Sequence, residues 1–120
     1  MTKRLDDSMS KGMVRSTIRM LIPLNLQSEA LEILEAVKAQ TQFDPSCIST
    51  QLYRGVDEVR AVMVEELWKS EEDILHHLQS EAYRRVLLVV EMSEEPPEIR
   101  FDMISCSSGV ETIEKARNRP

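Results

Sequence analysis

The chain has 120 residues, 42% hydrophobic and 30% charged, which predicts one domain built around one core. A net charge of -6 and an aromatic share of 4% exclude a phosphate backbone, an anionic membrane and a base-stacking surface as main partners. Cys47 and Cys106 form no CxxC pair, which excludes a disulfide-dense secreted scaffold, and the longest apolar run, Val86–Val90, is far short of a membrane span. With no apolar leader after Lys3 and Arg4, these features predict a cytoplasmic protein.

Residues 1–13 are polar and without a period, and are expected to form a flexible tail in which Met9 and Met13 are alternative starts. A first strand is predicted over 14–22, with Ile18, Met20 and Ile22 on one face, stopped by Pro23. A helix follows over about 27–39. Ala30, Leu34 and Val37 form its apolar stripe, Leu31 and Ile33 flank it, and Ser28 or Asn25 is the candidate cap. Strands over 47–55 and 60–68 form a hairpin across the turn at Gly55 to Glu58. In the second of them Val62, Val64, Glu66 and Trp68 share a face.

Ser70 followed by Glu71, Glu72 and Asp73 marks a helix start, because a hydroxyl caps the first turn and acids suit the positive end of the dipole. A short helix to about His77 and a second over 80–91, striped by Tyr83, Val86, Leu87 and Val90, are predicted. Pro96 and Pro97 break the chain before a fourth strand over 99–106. The spacing of Ser108 and Glu111 fits a capping box for a last short helix reaching Arg117. The order β-α-β, β-α-β then predicts an α+β, ferredoxin-like four-stranded antiparallel sheet with its helices on one face. The domain is expected over 14–106, with 107–120 a helical extension.

Helices can cover only one face of such a sheet. Ile18 and Leu21, Val64 and Leu67, and Met103 and Ile104 put apolar residues on both sides of their strands. Each side chain withdrawn from water contributes roughly 1.5–3 kcal/mol, so the second face is expected to be covered by another copy in a homodimer.

Trp68, the sole tryptophan, ends the third strand, and His76 and His77, the only histidines, follow about two turns later. Strand ends and the loops after them commonly carry pockets. His77 has Asp73 and Glu81 four residues to either side, either of which could orient its ring and hold its charged form, as a general base requires. The ordinary alternatives are a solvated histidine at a helix end and a tryptophan anchoring the core. His76 has Glu72 at the same spacing. Arg19 and Arg100, within strands, could reach an anionic ligand, and Asn25 could donate to a ligand oxygen, though each has a simpler solvent, ion-pair or cap role. Three glycines give no phosphate loop, no HExxH occurs, and adjacent histidines on a helix point about 100° apart, so they do not share a metal.

The block Glu66-Leu-Trp68-Lys-Ser70-Glu-Glu-Asp-Ile-Leu-His-His77-Leu-Gln-Ser80 resembles the central block of the antibiotic biosynthesis monooxygenase (ABM) family, whose members run from a strand-end acid and tryptophan to a histidine shortly before a serine. The resemblance covers about residues 14–106. It implies a ferredoxin-like protomer of the dimeric α/β-barrel superfamily, a homodimer whose two sheets form a barrel. It also implies oxygenation of a small quinol or phenolic aromatic with no cofactor. His77 then matches the family histidine as catalytic base and Trp68 the family tryptophan. Asn25, His76 and Arg19 are candidate ligand-binding residues, and no metal is implied. A second histidine that often follows the serine is replaced here by Ala82. Two rival readings stay open: a non-catalytic small-ligand or structural dimer, and a haem-binding or haem-degrading protein.

Overall fold

The computed structural model describes residues 12–119. The expected flexible tail, Met9 included, falls almost wholly outside the described residues. The elements are β1 (Met13–Leu21), α1 (Leu24–Thr41), β2 (Cys47–Arg54), β3 (Ala61–Trp68), α2 (Glu71–Leu78), α3 (Glu81–Val90), β4 (Glu98–Ile104) and α4 (Val110–Arg117). The sheet order is β2-β3-β1-β4, and every neighbouring pair is antiparallel. This is the ferredoxin-like arrangement that the element order predicts.

The barrel implied by the resemblance is not found. The sheet is open: the order β2-β3-β1-β4 leaves β2 and β4 as unpaired edges, whereas a barrel has every edge paired.

Alternation along the strands decides what is buried. Val14, Ser16, Ile18 and Met20 of β1 face the helices, joined by Val62, Glu66 and Trp68 of β3. Ala30, Leu34 and Val37 of α1 meet Ala82, Tyr83, Val86 and Val89 of α3 over this face, forming the main core with Ile18, Met20 and Val62. A second, smaller cluster joins Val14, Trp68 and Ile74, with Cys47 and Leu78 packed against it.

Local chemistry sets the element ends, not always where the pattern suggests. Helix α1 starts at Leu24, directly after Pro23, because proline's missing N–H costs nothing at a helix start. Asn25 and Ser28 therefore lie inside the helix, and neither caps it. Ser70 and Ser80 do cap, accepting from the backbone N–H of Asp73 at 3.2 Å and Tyr83 at 3.1 Å. In α3, Val89 takes the buried position and Leu87 is exposed. Gly109 precedes α4, and Glu111 accepts from its backbone N–H at 2.9 Å, so Ser108 is not the cap. At Gly55 any Cβ would lie 2.2 Å from the Glu58 carbonyl oxygen, so the β2–β3 turn excludes a side chain there.

The helix-free face is mixed rather than greasy. Arg15 pairs with Glu65 at 3.7 Å and Arg100 with Asp102 at 3.2 Å, while the Tyr53 hydroxyl donates to Glu65 at 3.4 Å. Leu21, Met63, Leu67 and Ile104 sit half-buried among these groups. The uncovered apolar residues lie on the other side of β4. Ile99, Phe101 and Met103 pair with Ile18, Ser16 and Val14 and so face the helix layer, yet they are 44%, 42% and 53% exposed. Among the described residues no helix is long and apolar enough to cross a membrane.

Candidate functional site

The alternation that points Val62 into the core also buries Glu66, at 2% exposure. Its Oε1 accepts from Trp68 Nε1 at 3.1 Å and lies 3.3 Å from Nε2 of His77, itself 5% exposed. The imidazole is within ion-pair distance of the carboxylate but not aligned for a hydrogen bond, which leaves Nε2 without a hydrogen-bond partner. Aromatic rings hold it on two sides. Trp68 stacks on it with centroids 4.4 Å apart, tilted by 31°, and Tyr83 meets it edge-on at 5.5 Å.

The carboxylate marks its surroundings. Burial, and then the Glu66 charge, push the Tyr83 hydroxyl up to about 12. Burial, followed by Glu66 and Asp44, pushes the Cys47 thiol up to about 11. Both residues are held in the neutral form in which they pack.

His77 and Trp68 are thus brought together, but the acid beside the histidine comes from β3. Asp73 is engaged by the Ser70 hydroxyl, which donates to it at 2.8 Å, and Glu81 pairs with Arg84 at 2.7 Å. The signal for Glu66 was present in the sequence: an acid in the apolar alternation of Val62, Val64 and Trp68.

The other candidates lie elsewhere. His76 is exposed on α2, at the rim of a polar hollow of about 150 Å³ that Thr41, Asp44, His77 and Ser80 also line. Arg19 lies on the helix-free face, 3.5 Å from Glu98, beside a hollow lined by Tyr53, Arg54 and Met63. Asn25 is exposed in the first turn of α1.

An apolar cleft of about 260 Å³ lies between α2 and β4. Its walls are Val14, Ile74, Leu75, Leu78, Phe101 and Met103, and Glu71 is its one ionisable group. Val14 and Ile74 also pack on Trp68, so the cleft and the Glu66–Trp68–His77 group share a wall. Reading Glu71 as a helix-end charge misses its second position at the cleft. Among the described residues no cluster of three or more His, Cys, Asp or Glu could hold a metal ion. Haem does not fit His77, whose Nε2 is buried against Glu66.

The fold and this cluster define an α+β domain with a buried acid–tryptophan–histidine group beside an apolar cleft. The model of the antibiotic biosynthesis monooxygenase family matches residues 13–87, and the chain belongs to that family. Among solved structures it is similar to Rv0793 from Mycobacterium tuberculosis, with 19% identity, 81% of this chain and 99% of that chain covered, and a TM-score of 0.72. It is also similar to a Bacteroides thetaiotaomicron protein of unknown function described as a possible oxidoreductase, with 16% identity, 78% and 99% covered, and a TM-score of 0.72. A conserved protein from Methanosarcina mazei Go1 aligns at 18% identity, with 78% and 94% covered and a TM-score of 0.71. At these identities the likeness is one of fold. No curated protein matches the sequence.

Proposed function

We propose that this family member is a monooxygenase that takes a small quinol or phenolic aromatic in the cleft between α2 and β4. The observation that carries the reading is the cleft itself: apolar walls, one carboxylate at Glu71, and a shared wall with buried Trp68. Few polar groups on an apolar lining is the usual composition of a small-molecule site.

The reaction needs no outside reductant. A hydroquinone and dioxygen give a hydroxyquinone and water: one oxygen atom joins a ring carbon, the other leaves as water, and the substrate supplies all four electrons. Removal of a hydroxyl proton raises the electron density of the ring and begins the transfer to dioxygen. Glu71 is the carboxylate within reach of a ligand in the cleft, so it is the proton acceptor in this scheme. Trp68 forms the floor behind Val14 and Ile74. His77 and Glu66 hold its indole in place by stacking and by the Nε1 bond, making them positioning residues.

A second reading, a non-catalytic small-ligand dimer, is favoured by the packing of His77 between Trp68 and Tyr83, away from the cleft lining. Oxygen uptake with a panel of hydroquinones separates the two. The oxygenase reading expects substrate-dependent uptake of one dioxygen per hydroquinone, lost in Glu71→Gln and reduced in His77→Ala. Ligand binding without uptake anywhere in the panel would leave the binding reading alone.

A further inference from the structure

Helix α4 has eight residues and none is buried. Val110 and Ile113 are 63% and 59% exposed, and with Ala116 they fall on one side of the helix. An isolated helix this short is marginal in water, and helices of this kind draw their stability from a packed apolar face. The structure also leaves an apolar surface of matching character uncovered: Phe101 and Met103 of β4, with Leu75 of α2.

The charges match too. The last turns of α4 carry Lys115 and Arg117, and Arg119 follows. The first turn of α2, beside the cleft, carries Glu71, Glu72 and Asp73. Among the described residues none of Lys115, Arg117, Glu71 and Glu72 has an ion-pair partner in this structure.

We propose that α4 is an exchanged arm: it docks on the cleft of a second copy of this chain, its Val110 and Ile113 covering Phe101, Met103 and Leu75, and its basic end meeting the acidic start of α2. Reciprocal exchange of two identical arms closes on itself as a dimer with two equivalent contacts. This contact uses the helix side of β4. It also gives the cleft a roof supplied by the partner. That consequence rests on the cleft being the ligand site, whereas the docking does not.

The test uses the full chain in a Cys47→Ala, Cys106→Ser background. One preparation carries Ile113→Cys and another, with a mass tag, carries Leu75→Cys. Both replaced residues are exposed, so folding is not at risk. The two are mixed, allowed to exchange, and treated with a short bismaleimide. The proposal expects a covalent dimer with one chain of each kind. It also expects loss of that product with Lys115→Glu and Arg117→Glu, and its return when Glu71→Lys and Glu72→Lys are added to the other chain. A third preparation carries both cysteines in one chain; a crosslink formed only within it would place the arm on its own cleft and overturn the proposal, as would no crosslink in either arrangement. Crosslinking reads docking without turnover. Absence of oxygen uptake therefore leaves it standing, and failure to crosslink leaves the cleft's ligand untouched.

Discussion

Removing the imidazole of His77 tests the buried group most sharply. Glu66 is 2% exposed and has two partners, the Trp68 indole N–H at 3.1 Å and the His77 ring at 3.3 Å. His77→Ala leaves this carboxylate in the core with the indole alone. Deleting the neighbour of a buried carboxylate leaves that group poorly compensated, at a cost of about 1–3 kcal/mol, in addition to about 2 kcal/mol for the lost packing of the ring. In a Glu66→Gln background no charge is left to strand, and the amide oxygen can still accept from Trp68. The same His77→Ala change then loses only the packing of one ring, about 2 kcal/mol. The expected coupling is therefore about 2 kcal/mol, within the range for residues in contact. Urea unfolding of the four proteins measures it. With a slope of about 2 kcal/mol per molar, the coupling appears as a midpoint difference of about 1 M. Costs that add to within about 0.5 kcal/mol would show that the two groups do not interact, and the argument built on their contact would fail.

The thiol of Cys47, raised from 9.0 to about 11 first by burial and then by Glu66 and Asp44, should resist alkylation at pH 8 while exposed Cys106 reacts. Because its folded value is the higher one, its contribution to stability is complete below about pH 9 and is lost between 9 and 11; equal rates for both cysteines at pH 8 would contradict this. The hydrogen bond from Arg60 pulls Glu58 down from 4.5 to about 2, so its contribution is present above pH 4.5 and disappears as pH falls from 4.5 to 2. Glu58→Gln should flatten that part of the acid limb in a thermal melt, and an unchanged limb would show that the pair does not bear on folding. Ser70→Ala and Ser80→Ala should each cost about 1 kcal/mol in urea unfolding, and a change near zero would mean that the cap bonds do not persist in solution.

Much of the fold was legible because period and punctuation agree. The period of two in β1 and β3, the stripe of Ala30, Leu34 and Val37, and the serines before α2 and α3 each specify one arrangement on their own. Pro23 was read only as a strand stop, although it also opens α1, since the same missing N–H serves both purposes. Leu87 and Val89 exchanged places because the five consecutive apolar residues Val86–Val90 have no polar residue among them to fix the rotation of the helix. Trp68 and His77 were grouped by their places at the end of the third strand and about two turns beyond it, and the family resemblance matched both. The pairing of His77 with Glu66 was not legible, because contacts across elements depend on strand register, which local spacing does not encode. The barrel came wholly from the resemblance. No residue in the chain argued for closure, and the sheet is open. The exposed side of β4 was missed for a related reason: alternation says which residues share a face, not whether a helix reaches the edge strand.

The central claim is that the cleft between α2 and β4 binds a small aromatic. Methyl-resolved NMR during an anaerobic hydroquinone titration tests it directly. Saturable shifts confined to Val14, Ile74, Leu75, Leu78 and Met103 are expected. Shifts centred instead on Met63 and Leu21, across the sheet, or none up to the solubility of the ligand, would contradict it.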